Sequence, residues 1–182
     1  MYLGDNMKKF NELKTIEELS DFMKGIDYGW MDNKHQIHIG ANEMFANFYI
    51  LQSPDQILEN KLGVCWDQVE LERLFFENNA LKYETYFMAY YNNSDCPTHT
   101  FLIFELDNKW YWFENSFEKY RGIHQYIEKK DLFDDVKQKF IDDLSYDNIG
   151  EGTLVVRKYD KPNYGIGVSE FYQHCEKGTI IN

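Results

Sequence analysis

A chain of 182 residues that is 43% hydrophobic and 18% aromatic can bury a full core, most simply as one α+β domain over residues 1–182. Its formal charge of −12 disfavours phosphate neutralisation, so no nucleic-acid partner is expected; the sign suits a basic or neutral substrate. No apolar stretch approaches the roughly 20 residues that cross a bilayer, and the opening MYLGDNMKKF has no charged segment leading into an apolar run, so a cytoplasmic protein without membrane association is expected.

Taken in chain order, Thr15-Ile16-Glu17-Glu18 has the form of a capping box, and Leu19, Phe22, Met23 and Ile26 follow at helical spacing. Between Asp27 and Leu51 the polar and aromatic residues show no clean period, which predicts turns and short helical pieces. Ser53-Pro54-Asp55-Gln56 supplies an N-cap, a proline at the first helical position and a box-closing glutamine, so a short helix starts there. From Val64 to about Glu77 there is no Gly or Pro, and apolar side chains cover most of the helical circumference. Glu70, Arg73 and Glu77 are left as a narrow wet stripe, while Gln68 and Glu72 fall on the Cys65 side.

Strands are predicted over Lys82–Tyr91, Thr98–Leu106 and Lys109–Ser116, from their content of aromatic and β-branched residues. The last two are joined by Asp107-Asn108, residues that tolerate the left-handed backbone of a tight hairpin. An amphipathic helix over Asp131–Leu144, a strand over Thr153–Tyr159 and a terminal helix over Ser169–Cys175 complete the chain.

Three cysteines, Cys65, Cys96 and Cys175, are too few and too scattered for a disulfide framework, so at least one is a free thiol. Cys65 sits in the first turn of a buried helix, where unpaired amides and the macrodipole favour an anion; a lone cysteine there is otherwise a small buried hydrophobe. His99 begins a strand that is apolar at nearly every position. In a two-residue hairpin closed at Asp107-Asn108, Glu114 faces Phe101 and so becomes a diagonal neighbour of His99 at roughly 7–8 Å between backbones, a gap that long side chains close. A nucleophile at a helix start, a base and a carboxylate that fixes its tautomer are the parts that thiol catalysis needs.

Gly63-Val64-Cys65-Trp66, then a buried helix, then His99-Thr100-Phe101 opening a strand and an acid near the end of the next strand, resembles the bacterial transglutaminase-like superfamily. The resemblance covers about Ser53 to Phe117. It implies a papain-like core, with the nucleophile helix packed on an antiparallel sheet. By this similarity Cys65 is the nucleophile, His99 the base and Glu114 stands where the family has an aspartate. Asn115 takes that place if the register slips by one.

The expected reaction is acyl transfer from a protein or peptide amide to Cys65, then to water or another amine, without a cofactor. An oxyanion would be met by the Cys65 N–H and by a second donor, with Trp30, Tyr28 and Gln68 as candidates whose commoner role is packing or structural. The rival reading is an inactive member that binds peptides in an aromatic groove; another is a redox thiol pairing Cys65 with Cys96. Cys96-Pro97-Thr98-His99 and the His35, His38 pair lack the second knuckle of a zinc site, and the acidic stretch from Asp131 to Asp147 lacks a calcium loop, so no metal is implied. His124 and His174, in polar surroundings, read as solvated.

Overall fold

The computed structural model describes residues 3–40, 42–93, 96–146 and 151–181, with the backbone alone for residues 3, 4, 145 and 146. Asp147, the last acid of the Asp-rich stretch, lies outside the described residues. A first helix, α1 (Leu3–Glu12), precedes the first one expected. In α2 (Ile16–Met23) the Thr15 hydroxyl accepts from the Glu18 N–H at 3.2 Å while the Glu18 carboxylate accepts from the Thr15 N–H at 3.0 Å, a closed capping box.

The segment expected to be turns instead forms a small antiparallel sheet of β1 (Gly29–Asp32), β2 (Ile37–Ile39) and β3 (Tyr49–Ile50), in the order β2-β1-β3, with a short helix α3 (Phe45–Phe48) before β3. Periodicity misses it because β1 is buried at every position and therefore does not alternate. Gly29 is forced by space: a Cβ there would come within 2.5 Å of the His38 carbonyl oxygen across the ladder.

Helices α4 (Pro54–Asn60) and α5 (Cys65–Asn78) follow, the first capped by Ser53 and Gln56 as its sequence implies. The main sheet has six antiparallel strands, β4 (Tyr83–Tyr91), β5 (Thr98–Leu106), β6 (Lys109–Glu114), β7 (Gly122–Tyr126), β8 (Thr153–Lys158) and β9 (Thr179–Ile181), ordered β7-β6-β5-β4-β8-β9. Helix α6 (Lys129–Tyr146) lies between β7 and β8 in the chain, and α7 (Val168–Glu176) between β8 and β9. The fold is α+β, with α5, which begins at Cys65, packed on an antiparallel sheet.

Strand alternation assigns the two faces of this sheet to different helices. Leu102, Phe104 and Phe113 pack with Leu71, Phe75 and Phe76 of α5 and with α1, α2 and α4. Tyr86, Phe101, Ile103 and Trp112 point the other way, into Leu132, Val136 and Phe140 of α6. A third cluster joins the start of α5, through Cys65, Trp66 and Val69, to Trp30 and Tyr49 of the small sheet and to Phe171 of α7.

The β5–β6 hairpin closes where the sequence places it. Asp107 and Asn108 have φ of 51° and 59°, and Ile103 faces Trp112. Of the α5 stripe expected to be wet only Glu77 is exposed: Glu70 and Arg73 are buried, paired at 3.1 Å, and Arg73 also donates to the Thr85 hydroxyl at 2.9 Å. Their charges mark an exposed face in a helix read alone, but β4 and Tyr159 cover it.

Candidate active site

The N-terminus of α5 is built by its own polar residues. Val64, extended at φ −75° and ψ 176°, is the N-cap, and the Asp67 carboxylate accepts from its N–H at 3.0 Å. Asp67 also accepts from the Gln52 N–H at 2.8 Å and the Tyr49 hydroxyl at 3.0 Å, tying the helix start to β3 and the segment after it. Burial pushes this carboxyl up to about 7, against the pull of those donors. Gly63 is set by space, since a Cβ would stand 2.7 Å from that of Asp67. Cys65 is then the first helical residue, and its N–H has no acceptor within the helix.

His99 leaves β5 on the α6 face, with its ring near Phe101, Phe117 and Phe140. The ring donates from Nε2 to Glu114 Oε2 at 2.7 Å, both side chains being buried. Cys65 lies beside the same ring, lines the same cleft and acts on the imidazole in the direction that favours its protonated form. Glu114 is held from behind, where its other oxygen accepts from the Phe117 N–H at 2.7 Å and the Ser116 hydroxyl at 3.1 Å.

Cys65 and His99 come from helices and strands on opposite faces of the sheet. They meet because β6 ends at Glu114, so the edge of β5 at residues 98–100 is bare on that side and the start of α5 reaches it. A cleft of about 530 Å³ opens there, with Cys65, Thr98, His99 and Tyr28 among its walls.

The electrostatics follow from this enclosure. Burial alone would push the imidazole down. The Glu114 charge, then the hydrogen bonds with Cys65 and Glu114, overcome it and lift His99 to about 10. Burial likewise acts to raise Glu114, but the His99 charge and hydrogen bond, with the Phe117 and Ser116 donors, hold it below the usual carboxylate range. The pair is therefore imidazolium and carboxylate at neutral pH. Glu72 differs: it is buried with Oε2 lacking any hydrogen-bond partner, and burial, then the Glu114 charge, keep its carboxyl protonated.

A family model for the transglutaminase-like domain matches residues 2–145, well over half of the chain. This chain belongs to the transglutaminase-like family. The match ends before β8, α7 and β9, of which the two strands extend the sheet beyond β4. Among solved structures, the arylamine N-acetyltransferase 3 of Bacillus cereus, reported to have a unique Cys-His-Glu catalytic triad, is similar at a TM-score of 0.44 and 14% identity, over 95% of this chain and 75% of that one. A search of curated proteins finds no match.

The remaining candidates of this transglutaminase-like domain separate cleanly. Tyr28 lines the cleft, and burial, then the charges of Cys65, Asp67 and Glu114, hold its hydroxyl protonated and so able to donate. Trp30 is fully buried away from the cleft, stacked on His38 at 4.1 Å. Gln68 spends its amide on the Gly63 carbonyl at 2.7 Å and accepts from Asn115 at 2.7 Å. Asn115 lies on the α5 side of β6, turned away from His99, because the register does not slip.

Asp67, Ser116 and Phe117 were not singled out from sequence. An acid three residues into a helix after Gly63-Val64 is a capping signal, and Asn115-Ser116 is a turn signal, so both had a trace there. His124, expected to be solvated, instead stacks on Trp112 at 4.6 Å and bonds the Tyr120 carbonyl. Among the described residues no group of three or more His, Cys, Asp or Glu side chains could hold a metal ion, and no helix is long and apolar enough to cross a membrane.

Proposed function

We propose that this protein is a cysteine-nucleophile acyltransferase acting on an amide of a protein or peptide, with Cys65 as nucleophile, His99 as acid and base, and Glu114 orienting the ring. The observation that carries the reading is the buried His99–Glu114 pair with Cys65 beside the ring, on the wall of an open cleft. In a buried ion pair with no access to solvent the same contacts would be structural.

With His99 already the imidazolium, Cys65 attacks the carbonyl carbon as the thiolate of a Cys65–His99 ion pair, giving a tetrahedral oxyanion. The Cys65 N–H and the Tyr28 hydroxyl are the donors proposed to meet it. His99 then gives the proton to the departing amine, leaving a thioester on Cys65. Water or a second amine attacks that thioester and loses its proton to the now neutral His99, and the sulfur leaves as the thiolate beside the restored imidazolium. Hydrolysis and transamidation differ only in that acceptor.

The test is acylation of the native protein by p-nitrophenyl acetate, followed by mass spectrometry of the Cys65 peptide. A thioester on Cys65 that is absent in Cys65→Ala and slowed in His99→Ala is expected. A wild-type protein that reacts with no acyl probe while still binding peptides would instead favour the inactive, peptide-binding member.

A further inference from the structure

Cys65 and His99 are brought together across a sheet edge where no backbone ladder runs. The β5–β6 pairing stops at Leu102 and Phe113, and α5 meets β5 only through side chains there. Sulfur-to-imidazole spacing in such a place depends on the side-chain bonds that tie the helix start to β5 and to the segment that carries Glu114.

Beside the Trp66 Nε1 to Thr98 Oγ1 bond at 3.2 Å, which ties the helix start to β5 itself, a chain of buried amide hydrogen bonds ties it to the Glu114 segment. Gln68, 1% exposed and one turn along α5 from Cys65, donates from Nε2 to the carbonyl of Gly63 at 2.7 Å. Its Oε1 accepts from Asn115 Nδ2 at 2.7 Å, and Asn115, 2% exposed, is the residue next to Glu114. Asn115 uses its other amide hydrogen on the Met23 carbonyl at the end of α2, at 3.0 Å, and its own carbonyl accepts from Arg121 Nε, also at 3.0 Å. Both amide hydrogens of Asn115 are thus used, and the direction of the chain is fixed, from Asn115 to Gln68 to Gly63.

Two buried amides bonded to each other and to backbone carbonyls are costly to disturb, because a lost partner leaves its mate unpaired in the interior. This stiffness lies between the two halves of the site, whereas Glu70 and Arg73 lie further along the same helix, away from it.

We propose that the Gln68–Asn115 amide pair is a brace that sets the separation of the Cys65 sulfur from the His99 ring. Both are positioning residues, since neither faces the reacting atoms, and the inference rests on the acyl-transfer reading above. Misplacement of reacting groups by about 1 Å costs roughly 100-fold in rate, so a brace of this kind shows in chemistry as much as in stability.

The test measures single-turnover acylation of Cys65 by p-nitrophenyl acetate at 25 °C, beside melting temperature, for wild type, Gln68→Met, Asn115→Ala and the double variant. Each single variant is expected to lose about 10- to 100-fold in acylation rate, and the double variant about the same as either single, because both remove one link. The upper limb of the rate-against-pH profile should also move down in each, since contact with Cys65 helps to hold the proton on His99.

Leu71→Ala, in the buried half of α5 remote from the cleft, is expected to lower the melting temperature without changing the rate or the profile. Unchanged acylation in the single variants, or losses that simply add in the double, would overturn the brace and leave the Cys65 reading intact. If Asn115→Ala does not fold, Asn115→Ser, with a single donor for two acceptors, is held to the same expectation. Absence of acylation in wild type itself would overturn both readings.

Discussion

Two ion pairs are buried beside α5, and they lead to opposite conclusions. Arg73 and Glu70 pair at 3.1 Å with side chains 4% and 0% exposed, and His99 and Glu114 pair at 2.7 Å with 7% and 2%. Burial and geometry hardly distinguish them. The first is closed off by Thr85 and by the rings of Tyr83 and Tyr159, and its cation stays charged at any accessible pH. The second has a cation that titrates, a cysteine beside it and an opening to solvent. A buried charge pair marks a site of chemistry only where one member can gain and lose a proton next to a reachable atom.

The comparison breaks most sharply in activity. Cys65→Ala should abolish acylation, and His99→Ala should lower it by about 100- to 10,000-fold, measured by burst kinetics on an ester probe. Glu114→Gln, which keeps an acceptor but loses the charge, should fall between wild type and His99→Ala. Arg73→Met should leave acylation unchanged at temperatures well below melting. It should instead lose about 3–5 kcal/mol in urea unfolding, because Glu70 is stranded without a partner, and Glu70→Leu added to it should recover most of that loss.

A pH series separates the pairs further. His99 is raised in the folded state to about 10 from an ordinary value of 6.5, so its stabilisation is complete below about 6.5 and is lost as pH rises through about 10. Glu114 is depressed, so its contribution is present above the ordinary carboxylate range and is lost only as pH falls through its lowered value. Wild type should therefore lose on the order of a few kcal/mol approaching pH 10 that His99→Gln does not lose, as read from urea midpoints between pH 6 and 10.5. Arg73→Met should retain the wild-type slope.

The smallest effect expected is at the hairpin turn. Asn108→Val puts a β-branched residue at φ 59° and should cost about 1–2 kcal/mol. Because the turn sets the β5–β6 register, it should also slow acylation slightly. The Arg73–Glu70 pair, three residues apart on one helix, does not depend on that register, and hydrogen exchange around Arg73 should follow global stability alone.

Much of this arrangement was legible in the sequence because local rules govern it. Capping boxes started α2 and α4, Asp107-Asn108 fixed the hairpin, and the period of two then placed Glu114 on the His99 face. A cysteine after Gly63-Val64 at a helix start carried the rest. Position along one element, or across one tight turn, is short-range information.

Other features depended on contacts distant in sequence. The small sheet was invisible because a strand buried on both faces has no alternation to read, and Glu70 and Arg73 looked exposed because nothing in α5 reveals that β4 and Tyr159 cover them. Gln68 and Asn115, read as candidates for chemistry, turn out to bond each other across 47 positions of chain. By itself the sequence determined which side chains share a strand face or a helix turn, since backbone geometry repeats every 2 or 3.6 residues. Only the tertiary structure decided that β6 stops at Glu114 and leaves the β5 edge bare, and that gap is what lets a thiol from one side of the sheet reach an imidazole from the other.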